Sequence, residues 1–246
     1  MRRTLSLLIL GTVLFGCAGP AGQTRGGQTH YLLGVSYLQE QNPTLALNEF
    51  LQAEAFDSQD PEIQAALGQT YQLKKAYAEA EKHYLRALRL KQNDPQIQNN
   101  LASLYLDMQR WDDAIRYFRQ AAGNLLFTRQ VLALTGIGYA HQQKGEHLEA
   151  VVVLQKALEQ NANAARTRFL LGESYYALGN TDLAAQEYRR ALHAAPDYVQ
   201  AHFRLGLAYV KLGDKELAAA SLREVVRLAP GTDLGEQAIS YLRIIK

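Results

Sequence analysis

The chain has 246 residues, 48% of them apolar and 20% charged, with six prolines. This is enough for one large domain or one repeat array, and it is too apolar and too weakly charged for a disordered chain. Of the 26 basic residues, Arg2 and Arg3 fall in a leader segment, and without them 24 bases face 24 acids. A neutral chain with no Lys/Arg-rich run argues against nucleic acid as a partner, and a single cysteine excludes intramolecular disulfides and Cys-based zinc sites.

The N-terminus reads MRRTLSLLILGTVLFGC. Arg2 and Arg3 form a positive start, followed by an apolar stretch from Leu5 to Phe15. As a helix at about 1.5 Å per residue, that stretch spans roughly half of a bilayer core, so residues 1–16 read as a cleaved signal rather than a membrane anchor helix. Leu14-Phe15-Gly16-Cys17 resembles the bacterial lipobox, with an aliphatic residue at −3, a small one at −1 and the cysteine at +1. The resemblance implies that Cys17 is acylated and becomes the first mature residue. Ala18 rather than Asp follows it, so the commonest inner-membrane retention signal is absent. Residues 17–29 read as the lipidated cysteine and a Gly-, Gln- and Thr-rich flexible tether, with an r.m.s. reach of roughly 20 Å.

From residue 27 the chain repeats. A Leu/Ile-small-x-x-aromatic (or His) pattern occurs as Leu33-Gly34…Tyr37, Leu67-Gly68…Tyr71, Leu101-Ala102…Tyr105, Ile137-Gly138…His141, Leu171-Gly172…Tyr175 and Leu205-Gly206…Tyr209. An alanine follows each at a fixed distance (Ala46, Ala80, Ala114, Ala150, Ala184, Ala218), then Phe50, Tyr84, Phe118, Leu154, Tyr188 and Leu222. The small positions stand 34, 34, 36, 34 and 34 residues apart. This pattern resembles the tetratricopeptide repeat in six copies, 27–60, 61–94, 95–128, 131–164, 165–198 and 199–232. The fold it implies is all-α, a right-handed superhelical solenoid of helix pairs, each unit burying its apolar face on the next. Asp60-Pro61 and Asp94-Pro95 place an N-cap before a first-position proline, and Lys144-Gly145, Gly179-Asn180 and Gly213-Asp214 mark turns. Residues 234–246 read as a capping helix, with Leu234, Ala238, Tyr241, Leu242 and Ile245 on one side.

The six histidines form no HExxH pair, and Gly136-Ile137-Gly138 is a GxG inside a helix with no preceding strand. His141 takes the aromatic position of repeat four and reads as packed; His147 reads as a solvated turn residue, and Trp111 as a cover over the interhelix packing. No catalytic constellation, metal site or cofactor motif is visible, so the chain reads as a non-enzymatic binding protein.

In the repeat family the inner faces of the first helices line a concave groove. Carried onto this sequence, the resemblance places Tyr31, Val35 and Leu38 there in repeat one, Gln69, Gln72, Asn99, Ser103 and Asp107 in repeats two and three, and Tyr139, Gln142 and Gln143 in repeat four. Repeats five and six supply Phe169, Glu173, Tyr176, Phe203, Leu207 and Val210. Apolar ends with an amide-rich middle suit a peptide or helix with separated apolar anchors; the alternative for Phe169, Phe203 and Leu207 is core shared between repeats. The Lys/Asn/Arg set with which chaperone-binding members hold a terminal carboxylate is missing.

The lipobox, the tether, six repeats, the cap and a two-residue expansion around Leu126-Phe127 before repeat four together resemble the type IV pilus biogenesis lipoproteins of the pilotin group. That resemblance implies an outer-membrane, lipid-anchored protein on the periplasmic face whose partner is a secretin subunit, which it helps to localise and multimerise. The alternative is a general envelope adaptor for peptidoglycan, outer-membrane assembly or polysaccharide export machinery.

Overall fold

The protein is described by a computed structural model covering residues 20–245. The leader and Cys17 lie outside the described residues. Thirteen α-helices follow one another, and no strand occurs among the described residues. They are α1 (Pro20–Gln39), α2 (Pro43–Phe56), α3 (Pro61–Leu73), α4 (Tyr77–Leu90), α5 (Pro95–Asp107), α6 (Trp111–Gly123), α7 (Gln130–Gln143), α8 (His147–Gln160), α9 (Ala165–Ala177), α10 (Thr181–Ala194), α11 (Val199–Leu212), α12 (Lys215–Leu228) and α13 (Asp233–Ile244). Each helix packs on its neighbours in sequence, and the odd-numbered helices also touch one another along the array. The result is a solenoid of six hairpins closed by α13.

Within a hairpin the repeated small residue lets the second helix approach. A Cβ added at Gly68 would meet the Tyr84 ring at 2.8 Å, so the ring fills the space that glycine leaves. Phe50, Tyr84, Leu154, Tyr188 and Leu222 are almost wholly buried in this way. Two helices reach van der Waals contact along their length, which is where burial stabilises most.

The turns inside the hairpins share one geometry. A residue with positive φ closes each: Gln41 (57°), Lys75 (60°), Gln109 (57°), Gly145 (78°), Gly179 (82°) and Gly213 (82°). Glycine adopts this left-handed conformation without steric cost, whereas a residue with a side chain pays about 1–2 kcal/mol. The first three hairpins therefore carry strain that the last three avoid. At the starts of α3 and α5, the carboxylates of Asp60 and Asp94 accept from the amides of Glu62 and Ile63, and of Gln96 and Ile97, and the prolines occupy the first helical position.

Two sequence expectations are corrected. Residues 20–29, read as tether from composition, belong to α1. Gly26 and Gly27 let this helix lie directly on Phe56, and His30 stacks on the same ring at 5.8 Å, so packing overrides a poor intrinsic preference. His147, read as solvated, is the half-buried first residue of α8, with an Nδ1 that is buried and unpartnered. The expanded junction at 123–129 is an ordered turn. The Asn124 side chain accepts from the Leu126 amide at 2.9 Å and its carbonyl from the Phe127 amide at 3.0 Å, which drops Phe127 into the core and leaves Leu125 and Leu126 in solvent.

Candidate functional site: a half-open concave channel

Tyr31, Val35 and Leu38 of α1 come together at the N-terminal end of the concave face. They line a cavity of about 490 Å³ with Ala65, Ala66 and Gln69 of α3 and Ile97 and Asn100 of α5. The cavity exists because Tyr31 is followed one repeat later by Ala65, which leaves room where a second ring could stand. Its far rim is the Lys91–Asp94 ion pair at 2.9 Å. Burial acts to raise the Asp94 carboxyl, but the amides of Ile97 and Gln96 and the Lys91 ammonium outweigh it and hold it below the usual carboxylate range. The same hydrogen bond to Asp94 raises Lys91.

A second cavity of about 440 Å³ shares Gln69 and Asn100 with the first and continues past Gln72 and Ser103 to Asp107. Gln72 spans two repeats, donating to Asp107 at 2.6 Å and accepting from the Tyr84 hydroxyl at 3.3 Å. Burial pushes the Tyr84 phenol far up, so it stays a neutral donor. The two cavities form one channel with an apolar floor at repeat one and an amide-lined continuation. Amides donate and accept at once, which matches a peptide main chain; the apolar floor takes side chains.

A buried polar cluster joins α2, α3 and α4. His83 Nδ1 donates to the Gln64 carbonyl oxygen at 2.8 Å, and the Gln64 amide nitrogen donates to Glu54 at 2.8 Å and to the Ser58 carbonyl at 3.2 Å. Desolvation lowers the His83 pKa, against the pull of Glu54.

The middle and far end differ from the sequence expectation. Asn99, placed in the groove by its repeat position, is only 5% exposed, and its Oδ1 has no partner. Tyr139 is half-buried, edge-on to Trp111 at 6.4 Å. Gln142 is occupied by Ser174 at 2.7 Å, and Gln143 is exposed. Phe169 packs on Tyr188 at 5.9 Å and on Tyr198 at 5.0 Å. Phe203 is 7% exposed and packs against Tyr241 of α13 at 6.1 Å, so it belongs to the core beneath the cap and not to an open groove. Leu207 is half-buried against the same packing, and Val210 against the neighbouring cluster of Tyr188, Leu205 and Tyr209. Tyr176 has Arg204 and Lys211 over its ring, each at 4.9 Å, and Glu173 is engaged by Arg204 at 2.5 Å and by the Tyr188 hydroxyl. The residues that sequence reasoning missed are Lys91, Asp94 and Ile97; the Asp-Pro start of α5 was visible, but not that it forms the channel rim.

Among the described residues no group of His, Cys, Asp and Glu could hold a metal ion, and no helix is long and apolar enough to cross a membrane.

The tetratricopeptide repeat family model matches residues 30–95 and 169–232, with further repeat models over 99–129 and 138–179. The chain belongs to the tetratricopeptide repeat family. No curated protein matches it in sequence. Among solved structures it is similar to the pilF protein of Pseudomonas aeruginosa (19% identity, TM-score 0.77, 89% of this chain and 99% of that one). It is also similar to PilW, described as a widely conserved type IV pilus biogenesis factor (16% identity, TM-score 0.80, 87% and 98%). A subunit of the Cut9–Hcn1 hetero-tetramer matches over 88% of this chain but 42% of its own length (20% identity, TM-score 0.73). At these identities the likeness is one of fold. It makes this a tetratricopeptide repeat protein structurally similar to type IV pilus biogenesis factors, built as a protein-interaction module.

Proposed function

We propose that the protein is a lipid-anchored pilotin that binds a segment of a secretin subunit in its N-terminal channel and supports secretin localisation and multimerisation at the outer membrane. The observation that carries this reading is the open cavity over Tyr31, Val35 and Leu38, in the N-terminal repeat of the solenoid. Similarity of fold to pilF and PilW over almost their whole length supports the pilus context. The lipobox-like run supports acylation of Cys17 and attachment to the periplasmic face of the outer membrane; several acyl chains anchor stably where one does not. The channel binds and positions; it carries no group set for bond making.

The test is made in cells. Replacing Val35 and Leu38 together by Asp removes two apolar anchors, each worth roughly 1.5–3 kcal/mol on full burial, so secretin binding falls at least tenfold (about 1.4 kcal/mol) and multimers are lost, with helical content unchanged by circular dichroism. Cys17→Ser releases the protein from the membrane fraction. Normal multimers with a folded double mutant reject this channel as the site. Normal multimers in a full deletion reject the pilotin reading and leave the general envelope adaptor.

A further inference from the structure

Beside the capping helix lies an apolar seat that no element covers among the described residues. Ile239-Ser240 of α13 stands 34 residues after Leu205-Gly206, in register with the Leu-small pair that opens every hairpin. The capping helix is thus built as the first helix of a seventh hairpin. One repeat earlier, Ala185, Leu205, Ala208 and Tyr209 are 9% exposed or less and share a cluster with Ala218 of α12, the second helix of that hairpin. Thirty-four residues on, the equivalents Ala219, Ile239, Leu242 and Arg243 line an open cleft of about 830 Å³ between α12 and α13. Among the described residues nothing occupies it.

The cleft also has a charge. Lys215, Arg223 and Arg243 stand around it, against the single acid Glu216. Among the described residues none of these three cations is in an ion pair, although Arg227 and Glu224 pair on the same helix. Unpaired cations around an apolar floor are complementary to one kind of helix: a small-residue and aliphatic stripe for the floor, and carboxylates on its flanks.

We infer that the cleft between α12 and α13 is a second docking site, which takes an acidic amphipathic helix of a partner protein in the place a seventh hairpin's second helix would fill. It lies at the opposite end of the solenoid from the Tyr31 cavity and does not depend on what that cavity binds. Two sites at the two ends would let the protein hold two partners at once.

The probe is a hydrocarbon-stapled, fluorescein-labelled peptide of residues 213–230 of this chain carrying Lys215→Glu, Arg223→Glu and Arg227→Glu. It keeps the Ala218, Leu222 and Val225 stripe and makes the flanks acidic; the staple is needed because a lone helix of this length is marginal in water. The unsubstituted peptide, with equal numbers of acids and bases, is the control. Binding to the full chain is read by fluorescence anisotropy. The acidic peptide binds at least tenfold tighter than the control, and its affinity falls as salt rises. Arg223→Glu with Arg243→Glu in the protein weakens the acidic peptide at least tenfold and the control less than about threefold. Ala219→Trp, which fills the floor and leaves every charge in place, abolishes binding of both peptides. Circular dichroism establishes that each variant is folded. No saturable binding of the acidic peptide overturns the inference, as does equal affinity for the two peptides. Self-association of the full chain in sedimentation that Ala219→Trp removes also overturns it, because the occupant is then a second copy.

Discussion

The two ends of the concave face use the same repeat positions and reach opposite outcomes. In repeat one, Tyr31 stands beside Ala65 of the next unit, and the junction residues Asp60 and Asp94 turn inward to cap helices. The surface stays open and a cavity forms. In repeat five, Phe169 stands one unit before Phe203, and the junction position is Tyr198, whose ring covers Phe169 at 5.0 Å and makes no capping hydrogen bond. Phe203 in turn meets Tyr241 of the cap. A ring at the groove position lines a cavity where its neighbour one repeat on is Ala65, and is covered where Tyr198 or Tyr241 reaches it.

The sharpest way to break this comparison is to truncate the ring at each end. Phe203→Ala removes a buried side chain packed with Leu222, Val225 and Ala238, and such a deletion costs about 3–5 kcal/mol. The cap is expected to lose its hydrogen-exchange protection first, because stability in a solenoid is a sum of local and nearest-neighbour terms. Tyr31→Ala, at a half-buried ring on the open end, is expected to cost no more than about half as much. Equal costs in denaturant unfolding would mean that the open and closed ends are energetically one surface.

A smaller effect is expected from opening the closed end. Tyr198→Asp restores at α11 the cap chemistry of Asp60 and Asp94 and removes the ring over Phe169. The lost aromatic pair is worth roughly 0.5–1.5 kcal/mol beyond its burial, and a new N-cap returns about 1 kcal/mol. The net change in stability is therefore small, about 1–2 kcal/mol at most once burial is counted, while an environment-sensitive apolar dye gains a binding site over Phe169. Unchanged dye binding with an intact fold would show that Tyr198 is not what closes the groove.

The hairpin array was legible from the sequence, because each unit repeats a Leu-small pair, an alanine and an aromatic at fixed spacing, and that pattern is itself the packing. The groove was legible only as positions. Which of them open depends on pairs such as Tyr31 with Ala65 or Phe203 with Tyr241, which lie a repeat or more apart in sequence. Composition misled at residues 20–29, where Gly26 and Gly27 read as tether and are instead the flat side on which Phe56 lies. The turns closed by Gln41, Lys75 and Gln109 gave no signal, since no glycine marks them.

The polar cluster that joins α2, α3 and α4, in the same half as the open channel, gives a pH test of the same contrast. Desolvation holds the folded-state pKa of His83 below its unfolded value near 6.5. Below that pH the unfolded chain binds the proton more readily than the folded one, so stability is fully present above about pH 6.5 and falls as pH drops through the window between the two values, by at most about 1.4 kcal/mol per pH unit. The groups around the ring are Glu54, Glu79, Lys82 and Arg86. In His83→Gln the loss of stability between pH 7 and pH 5 shrinks, and the loss is located in repeats one to three by hydrogen exchange. A loss spread evenly over all six repeats would assign it to other groups.

The smallest effect expected is a gain, and it separates the two halves by their turns. Gln41, Lys75 and Gln109 hold left-handed backbone with side chains attached, where Gly145, Gly179 and Gly213 hold it in the later repeats. Relief of that conformation is worth about 1–2 kcal/mol, and glycine's greater freedom in the unfolded chain takes back part of it, about 0.5–1 kcal/mol. Lys75 is the cleanest position, because it is exposed and outside any ion pair among the described residues, so its side chain contributes little else. Lys75→Gly is therefore expected to stabilise the protein by about 0.5–1 kcal/mol in urea unfolding, and the reverse change, Gly179→Lys, to destabilise it by a similar amount or more. Gly179→Lys touches no residue that lines the channel, whereas Lys75 borders the second cavity, so urea unfolding and not binding is the readout for the pair. A neutral Lys75→Gly with a costly Gly179→Lys would show that the early turns are held by something other than the backbone preference of the residue that closes them.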